Sequence, residues 1–247
     1  WACALLVTGC HCTPRPSPKT SGPRCEFLGA PIHQATLSDP MIDEASGLVV
    51  SQKHPGIGWT HNDSGDRARV FAIELATGAT VASYPLSGIA ATDWEDISLA
   101  PAVGDEPATI YIADTGDNLR SRDHVEVHRF QEPEVLVTHG VLHEVETMRI
   151  QYPNGARDVE CLSVLPDGGL VMLTKTLDFR ATVLHVDTWR SGSTSTAQIG
   201  GTLPLMLSGS ARSDRVTGCD LSEAHGLFVV RTYEHVLVFE DALSPTV

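Results

Sequence analysis

The sequence has few basic residues. Its 247 residues contain 17 Lys and Arg against 31 Asp and Glu, so the formal net charge at pH 7 is −14. Because a protein that binds nucleic acid needs a basic face to meet the phosphates, this charge argues against a nucleic acid partner. It suits a protein that binds cations or small molecules, and we expect that protein to be a monomer.

Several familiar motifs are also missing. The sequence has no GxSxG elbow, Walker A loop, GxGxxG turn or HExxH pair, and its Cys spacing matches no zinc site. Neither Asp-rich loop matches an EF-hand, since position 12 counted from Asp114 is Val125 instead of Glu. The sequence also lacks an apolar run long enough to span a bilayer. These motifs therefore do not assign the chain to a known enzyme class.

The N-terminus predicts export. Residues 1–9 look like the apolar end of a signal peptide, and VTGC at 7–10 resembles a bacterial lipobox with Cys10 as the lipidated residue. Residues 10–24 are polar and rich in Pro and Ser, as in a disordered linker, which leaves 25–247 as the folded domain. We expect a secreted or cell-envelope lipoprotein that contacts the membrane through a lipid anchor. A signal peptide cleaved elsewhere is the alternative.

The cysteines outside this segment leave their pairing open. They could form disulfides in an oxidising compartment, but their spacing does not assign partners. They are Cys12, Cys25, Cys161 and Cys219.

The chain after the linker predicts strands. Its apolar segments are short, rich in β-branched residues and separated by turn residues, and helical periodicity is almost absent. Segments 70–75, 109–113 and 169–174 are typical. This pattern predicts an all-β fold of antiparallel strands.

A two-part motif recurs four times, at intervals of about 50 to 65 residues. A polar strand start occurs at 44–48, 93–97, 158–162 and 217–221. The end of the following strand carries Asp63, Asp114, Lys175 or Arg231, each followed by Ser or Thr. Four strands per unit at this period predict a β-propeller of four-stranded antiparallel blades, with about four blades present. Since the fourth unit stops before its fourth strand, we expect an incomplete ring that continues beyond Val247.

The repeat also predicts a metal site. The start of the first strand and the end of the second lie at the same end of a blade, so the polar residues should form a rim at one mouth of the channel. Carboxylates that share a site repel one another unless a cation intervenes, and calcium takes several oxygen ligands. The alternative is that these residues cap backbone groups in tight turns. The predicted calcium ligands are Glu44, Asp93, Glu95, Asp158 and Glu160.

Other rim residues are candidates for ligand binding and catalysis. Lys175 and Arg231 could pair with the acids or hold an anionic substrate over a metal. His61, next to the rim, could act as a general base or a ligand. These three residues form the candidate catalytic set. The predicted ligand-binding residues are Asp63, Asp66, Asp114, Asp117 and Asn118.

The motifs ExSGL at 44–48, DWEDI at 93–97 and DTGDN at 114–118 support a family resemblance. Over residues 40–240 the chain resembles bacterial secreted or lipoprotein β-propellers, most of them uncharacterised. It is more distantly similar to phytase-like and gluconolactonase-like propellers. That resemblance implies calcium at the channel mouth, a possible metal-assisted hydrolase, and a further blade with a Gly-Glu motif.

Two functions fit these observations. The favoured one is a binding propeller that recognises a small molecule or envelope component at its mouth. The alternative is a calcium-dependent hydrolase of a phosphate ester or lactone. The sequence names no nucleophile, and a propeller fold alone does not imply an activity, so enzymatic activity is left open.

Overall fold

The computed structural model describes residues 4–6, 32–104 and 107–240. Cys10, the linker and Cys12 and Cys25 lie outside the described residues. Two short strands, β1 (Ala4–Leu6) and β2 (His33–Thr36), pair antiparallel ahead of the main repeat. Among the described residues the only helical element is a single 3-10 turn at Glu223–His225.

Four antiparallel sheets follow, and each is one blade. Blade 1 contains β3 (Ala45–Val50), β4 (Ile57–Asn62), β5 (Arg69–Glu74) and β6 (Thr80–Pro85). Blade 2 contains β7 (Trp94–Ala100), β8 (Thr109–Asp114), β9 (Val125–Gln131) and β10 (Glu146–Gln151). Blade 3 contains β11 (Val159–Val164), β12 (Leu170–Thr174), β13 (Arg180–Val186) and β15 (Gln198–Pro204). The short strand β14 (Thr194–Thr196), between β13 and β15 in the chain, pairs with β10 of blade 2 instead. Blade 4 shows β16 (Val216–Ser222), β17 (Leu227–Thr232) and β18 (Val236–Glu240).

This architecture confirms the predicted all-β propeller of four blades. The inner strands β3, β7, β11 and β16 lie side by side in chain order, and β16 also approaches β3, which brings blades 4 and 1 together. Further blades beyond Val247 stay a prediction.

The hydrophobic core lies mainly between neighbouring blades. Trp59 and Trp94 are fully buried between blades 1 and 2, while Met148 and Leu162 pack between blades 2 and 3. Full burial of each such side chain contributes about 1.5–3 kcal/mol. Since each layer is shared by two blades, no blade buries its apolar faces alone.

Two segments, which we call straps, each run from a later blade across the outer edge strand of the blade before it; they are the β9–β10 connection and the segment around β14. Residues of the β9–β10 connection form parallel bridges with blade 1, His139 with Ser83 and Leu142 with Leu86. In the same way β14, from blade 3, pairs parallel with β10 of blade 2. Covering an edge strand in this way removes exposed backbone donors and acceptors.

Each inner strand carries a bulge at the same place, and the bulges set the true register of the repeat. Pairing is interrupted after Ala45, Trp94, Val159 and Val216. A bulge inserts one residue and re-aims the side chains beside it. Glu95 and Glu160 occupy the bulges of blades 2 and 3, and Thr217 occupies that of blade 4.

The predicted alignment of blade 4 was therefore wrong by two residues in its first strand. Thr217 corresponds to Glu95 and Glu160, not to Asp93 and Asp158. The second strand is displaced as well, because Arg231 faces Gly218 as Leu173 faces Cys161. Blade 4 thus places no carboxylate at these matched positions.

Candidate functional site

Five carboxylates converge at the end of the propeller where the inner strands begin. Oxygens of Asp63, Asp93 and Glu95 lie within 4.8 Å of one another, and so do oxygens of Glu95, Asp158 and Glu160. We call these five residues the acid cluster; Glu95 belongs to both groups. All five were predicted from the sequence, four as metal ligands and Asp63 as a ligand-binding residue.

The local backbone explains why these side chains meet. The bulges in β7 and β11 hold Glu95 and Glu160 at equivalent positions in neighbouring blades. Asp93 and Asp158 precede the same two strands, and Asp63 follows β4 directly. The cluster therefore draws on three blades, and no single loop could form it.

Burial and mutual repulsion make the cluster hard to ionise. Burial, followed by the charges of Asp63 and Asp158, raises the pKa of Asp93 to about 6. Glu95 is only 2% exposed, and burial together with the charge of Glu160 raises its pKa far above the ordinary value. Among the described residues no donor forms a hydrogen bond with the Glu95 carboxylate. A buried carboxylate with no donor needs either a proton or a cation.

In the part of the chain that the structure describes, Lys175 is the one ammonium group paired with the cluster. Its Nζ contacts Glu160 Oε1 and lies 5.6 Å from the ring centroid of Tyr233. Burial acts to lower the pKa of Lys175, but the charge of Glu160, its hydrogen bond and the nearby Tyr233 and Glu95 together raise that pKa. Burial raises the pKa of Glu160 even with Lys175 beside it. One ammonium thus neutralises a single carboxylate of the five.

The acid cluster fits a hard divalent cation. Calcium accepts carboxylate oxygens at about 2.3–2.6 Å, so two ligand oxygens on opposite sides of the ion lie about 5 Å apart. The oxygens within each group lie close enough for one ion to reach all three of them. Glu95, which belongs to both groups and accepts no hydrogen bond from the residues described, is the natural shared ligand.

Three other predicted residues hold the surrounding loops. Asp66 accepts hydrogen bonds from Asn62 Nδ2 and Arg69 Nε, both at 2.8 Å. Asp114 pairs with Arg122 at 2.8 Å and accepts the backbone N–H groups of Thr92 and Asp93.

Asp117 has a similar role. Its carboxylate accepts the backbone N–H groups of Ser121 and Arg122, while its own N–H donates to Asp158 Oδ1 at 3.0 Å. These contacts place Asp93 and Asp158 without adding oxygens to either close group.

The structure places the remaining predicted residues away from these two groups. Glu44 is exposed and belongs to neither, and Asn118 is exposed as well. Arg231 contacts the carbonyl oxygen of Thr217 and, at 3.3 Å, that of Ser46. It therefore joins blade 4 to blade 1. Its position matches Leu173, and not Lys175 as the repeat predicted.

His61 is fully buried. Its Nδ1 lies 2.8 Å from the carbonyl oxygen of Asn62, and its ring meets the edge of Trp94. Burial lowers its pKa, so it is neutral at pH 7. The Nε2 atom has no hydrogen-bond partner among the described residues.

Asp96, whose side chain joins three of the inner strands, was not identified from the sequence. It lies one residue after Glu95 and is 3% exposed. Its carboxylate accepts the backbone N–H groups of Ile97, Leu162 and Cys219, which belong to the inner strands β7, β11 and β16. A second acid directly after Glu95, just before the apolar part of the strand, was the available signal. The structure also resolves the open cysteine pairing in part, since Cys161 and Cys219 form a disulfide between β11 and β16.

A comparison with protein-family models finds no match to this chain, and a comparison with curated proteins finds none either. The fold and the acid cluster define the class of the molecule, a β-propeller with carboxylates gathered at one end. The family resemblance stays a prediction.

In the part of the chain that the structure describes, no helix has the length and apolar character needed to cross a membrane.

The protein without metal should lose stability as the pH rises from 5 to 8. Asp93 and Asp96, with pKa values of about 6 and about 7, bind protons more tightly when folded than in the unfolded chain, where Asp has a pKa of about 3.9. Stabilisation by protonation is thus complete below about pH 4 and is lost as the pH rises through 6–7. We expect the melting temperature in chelator to fall by several degrees across this range.

The variant Glu95→Gln should flatten that pH dependence, because burial and the charge of Glu160 raise the pKa of Glu95, so that the folded protein keeps a proton there that the unfolded chain has released over this range. Glu44→Gln, at an exposed acid outside the two groups, is the matched control and should leave the slope unchanged. A melting temperature that rises steadily from pH 5 to 8 in chelator contradicts the assigned electrostatics.

Proposed function

We propose that the acid cluster binds calcium and that the protein is a calcium-dependent binding propeller. One observation carries this proposal: the buried carboxylate of Glu95 has no donor among the described residues and lies within 4.8 Å of oxygens from four other acids in two groups. Repulsion among these charges at neutral pH is relieved by a divalent cation, and oxygen ligands favour a hard ion such as calcium.

A binding role agrees with the chemistry around the cluster better than hydrolysis does. In the hydrolase alternative, Lys175 and Arg231 were the groups expected to hold an anionic substrate over the metal. Arg231 is occupied with the carbonyl groups of Thr217 and Ser46, and Lys175 is paired with Glu160. A bound calcium ion, with coordination positions left open, would instead recognise an oxygen-rich small molecule or envelope component.

We also propose that the protein works in an oxidising compartment, as an exported or envelope-anchored protein. The disulfide between Cys161 and Cys219 supports this, since such bonds persist outside the reducing cytosol. The lipidation of Cys10 and the lipid anchor rest on the sequence alone, because that residue lies outside the described residues.

Calcium should raise the melting temperature at pH 7.5. Ligand at about 100 times its dissociation constant stabilises the folded state by about 2.7 kcal/mol, which for a chain of this size is a shift of about 5–10 °C. Differential scanning fluorimetry with calcium after dialysis against chelator measures the shift. Glu95→Gln should remove most of it, because that residue contributes to both ligand groups.

The matched control for this titration is Glu44→Gln, which should retain the shift. Magnesium at the same concentration should give a smaller one, because it demands a tight octahedral shell and sheds its water reluctantly. No shift with calcium, or an equal shift in wild type and Glu95→Gln, would remove the metal site from consideration.

A further inference from the structure

A second polar cleft lies on the flank of blade 2, apart from the acid cluster. Its volume is about 460 Å³. The connection before β7 forms one wall, strands β9 and β10 form the floor, and the strap from blade 3 forms the other wall. The lining residues that matter are Ile89, Glu126, His128, Thr147, Arg149 and Ser193.

The deepest polar group in the cleft is the imidazole of His128, which is 1% exposed. Its Nδ1 lies 2.8 Å from Thr147 Oγ1, which fixes the ring. Its Nε2 is buried and has no hydrogen-bond partner among the described residues. Because buried polar atoms in folded proteins are nearly always paired, this nitrogen indicates a missing partner in the cleft.

An ion pair stands beside that nitrogen. Arg149 Nε lies 3.2 Å from Glu126 Oε1, and the other carboxylate oxygen lies 4.0 Å from His128 Nε2. The two charges cancel, so the cleft has no net attraction for an anion or a cation. Together the pair presents acceptors and donors side by side, next to the apolar side chain of Ile89.

We propose that this cleft binds a neutral polyhydroxylated molecule, a mono- or disaccharide. A hydroxyl group both donates and accepts, so it can pair with His128 Nε2 in either tautomer. Adjacent sugar hydroxyls match the carboxylate and guanidinium of Glu126 and Arg149, and the C–H face of the ring can rest on Ile89. The proposal does not depend on calcium or on the acid cluster.

The test uses the whole protein and a defined panel: glucose, galactose, mannose, N-acetylglucosamine, maltose and cellobiose. Saturation-transfer NMR identifies which sugars bind, and calorimetry gives their dissociation constants. At least one sugar should bind, with and without chelator. His128→Ala and Arg149→Ala should each weaken that binding by about tenfold or more, since each removes a hydrogen-bonding group from the cleft.

Two controls keep the result interpretable. His185→Ala changes a half-buried histidine on the third strand of the next blade, outside the cleft, and should bind as the wild type does. Arg149 has a side chain that is 58% exposed, so its variant should fold even if His128→Ala does not. Absence of binding by every sugar in the panel, or unchanged binding in Arg149→Ala, overturns the proposal.

Discussion

Asp96→Ala should lower the free energy of unfolding by about 3–5 kcal/mol, a large part of the stability of an ordinary domain. The two carboxylate oxygens accept three backbone N–H groups at 2.9–3.1 Å, from Ile97, Leu162 and Cys219. These belong to the inner strands of blades 2, 3 and 4. Removing the carboxylate takes the acceptor from two buried donors and one partly buried donor, and each buried donor left unpaired costs about 1–3 kcal/mol.

Denaturation in guanidinium chloride at pH 6 measures this loss. Asp167→Ala is a suitable control, because that exposed carboxylate accepts a single backbone N–H, from Gly169, and should cost less than about 1 kcal/mol. Asp96→Asn should lie between the two, since an amide keeps one of the two acceptor oxygens. A cost for Asp96→Ala no greater than that of Asp167→Ala would show that Asp96 does not hold the blades together.

The fold could be predicted because its determinants are local. Short β-branched segments such as β8 and β12, with turn residues between them, identify strands, and their recurrence identifies blades. The straps could not be predicted in the same way. The parallel pairing of β14 with β10 joins segments more than 40 residues apart and has no periodic signal of its own.

The acid cluster could be predicted only in the blades whose sequences were aligned correctly with one another. Asp93, Asp158 and Glu160 fell in the right columns, because blades 2 and 3 repeat the same acids before and at the bulge. Blade 4 resembles them less, so its alignment was less constrained there. The shifted alignment then gave Arg231 a role at the rim, whereas in the structure it contacts Thr217 of its own blade and Ser46 of blade 1.

The sequence also could not predict which acids are paired with a base and which remain unpaired in the cluster. Asp93 stands at the start of one predicted strand and Asp114 at the end of the next, and the sequence does not distinguish their roles. Asp114 is neutralised by Arg122 at 2.8 Å, whereas Asp93 has Asp63 and Asp158 as its strongest charged neighbours. Only the packing of three blades decides which carboxylate is paired and which needs a cation.

The second large effect should come from the disulfide. Cys161 and Cys219 join the inner strands of blades 3 and 4 and are separated by 58 residues in sequence. In the chain-entropy model, closing a loop of this size stabilises the folded state by about 4 kcal/mol, mainly by restricting the unfolded chain. We therefore expect Cys161→Ala/Cys219→Ala to lower the free energy of unfolding by about 2–5 kcal/mol.

The slope of the denaturation curve distinguishes loss of the cross-link from loss of packing, because only loss of the cross-link changes the surface that the unfolded chain exposes. Without the cross-link the unfolded chain exposes more surface, so the dependence of the unfolding free energy on guanidinium concentration should become steeper. Dithiothreitol should weaken the wild type toward the double variant and have no such effect on the variant itself, which controls for the other cysteines. An unchanged midpoint and slope in the double variant would mean that the blade 3–blade 4 contact is held by Asp96 and the apolar layer around Val216 and Val230 alone.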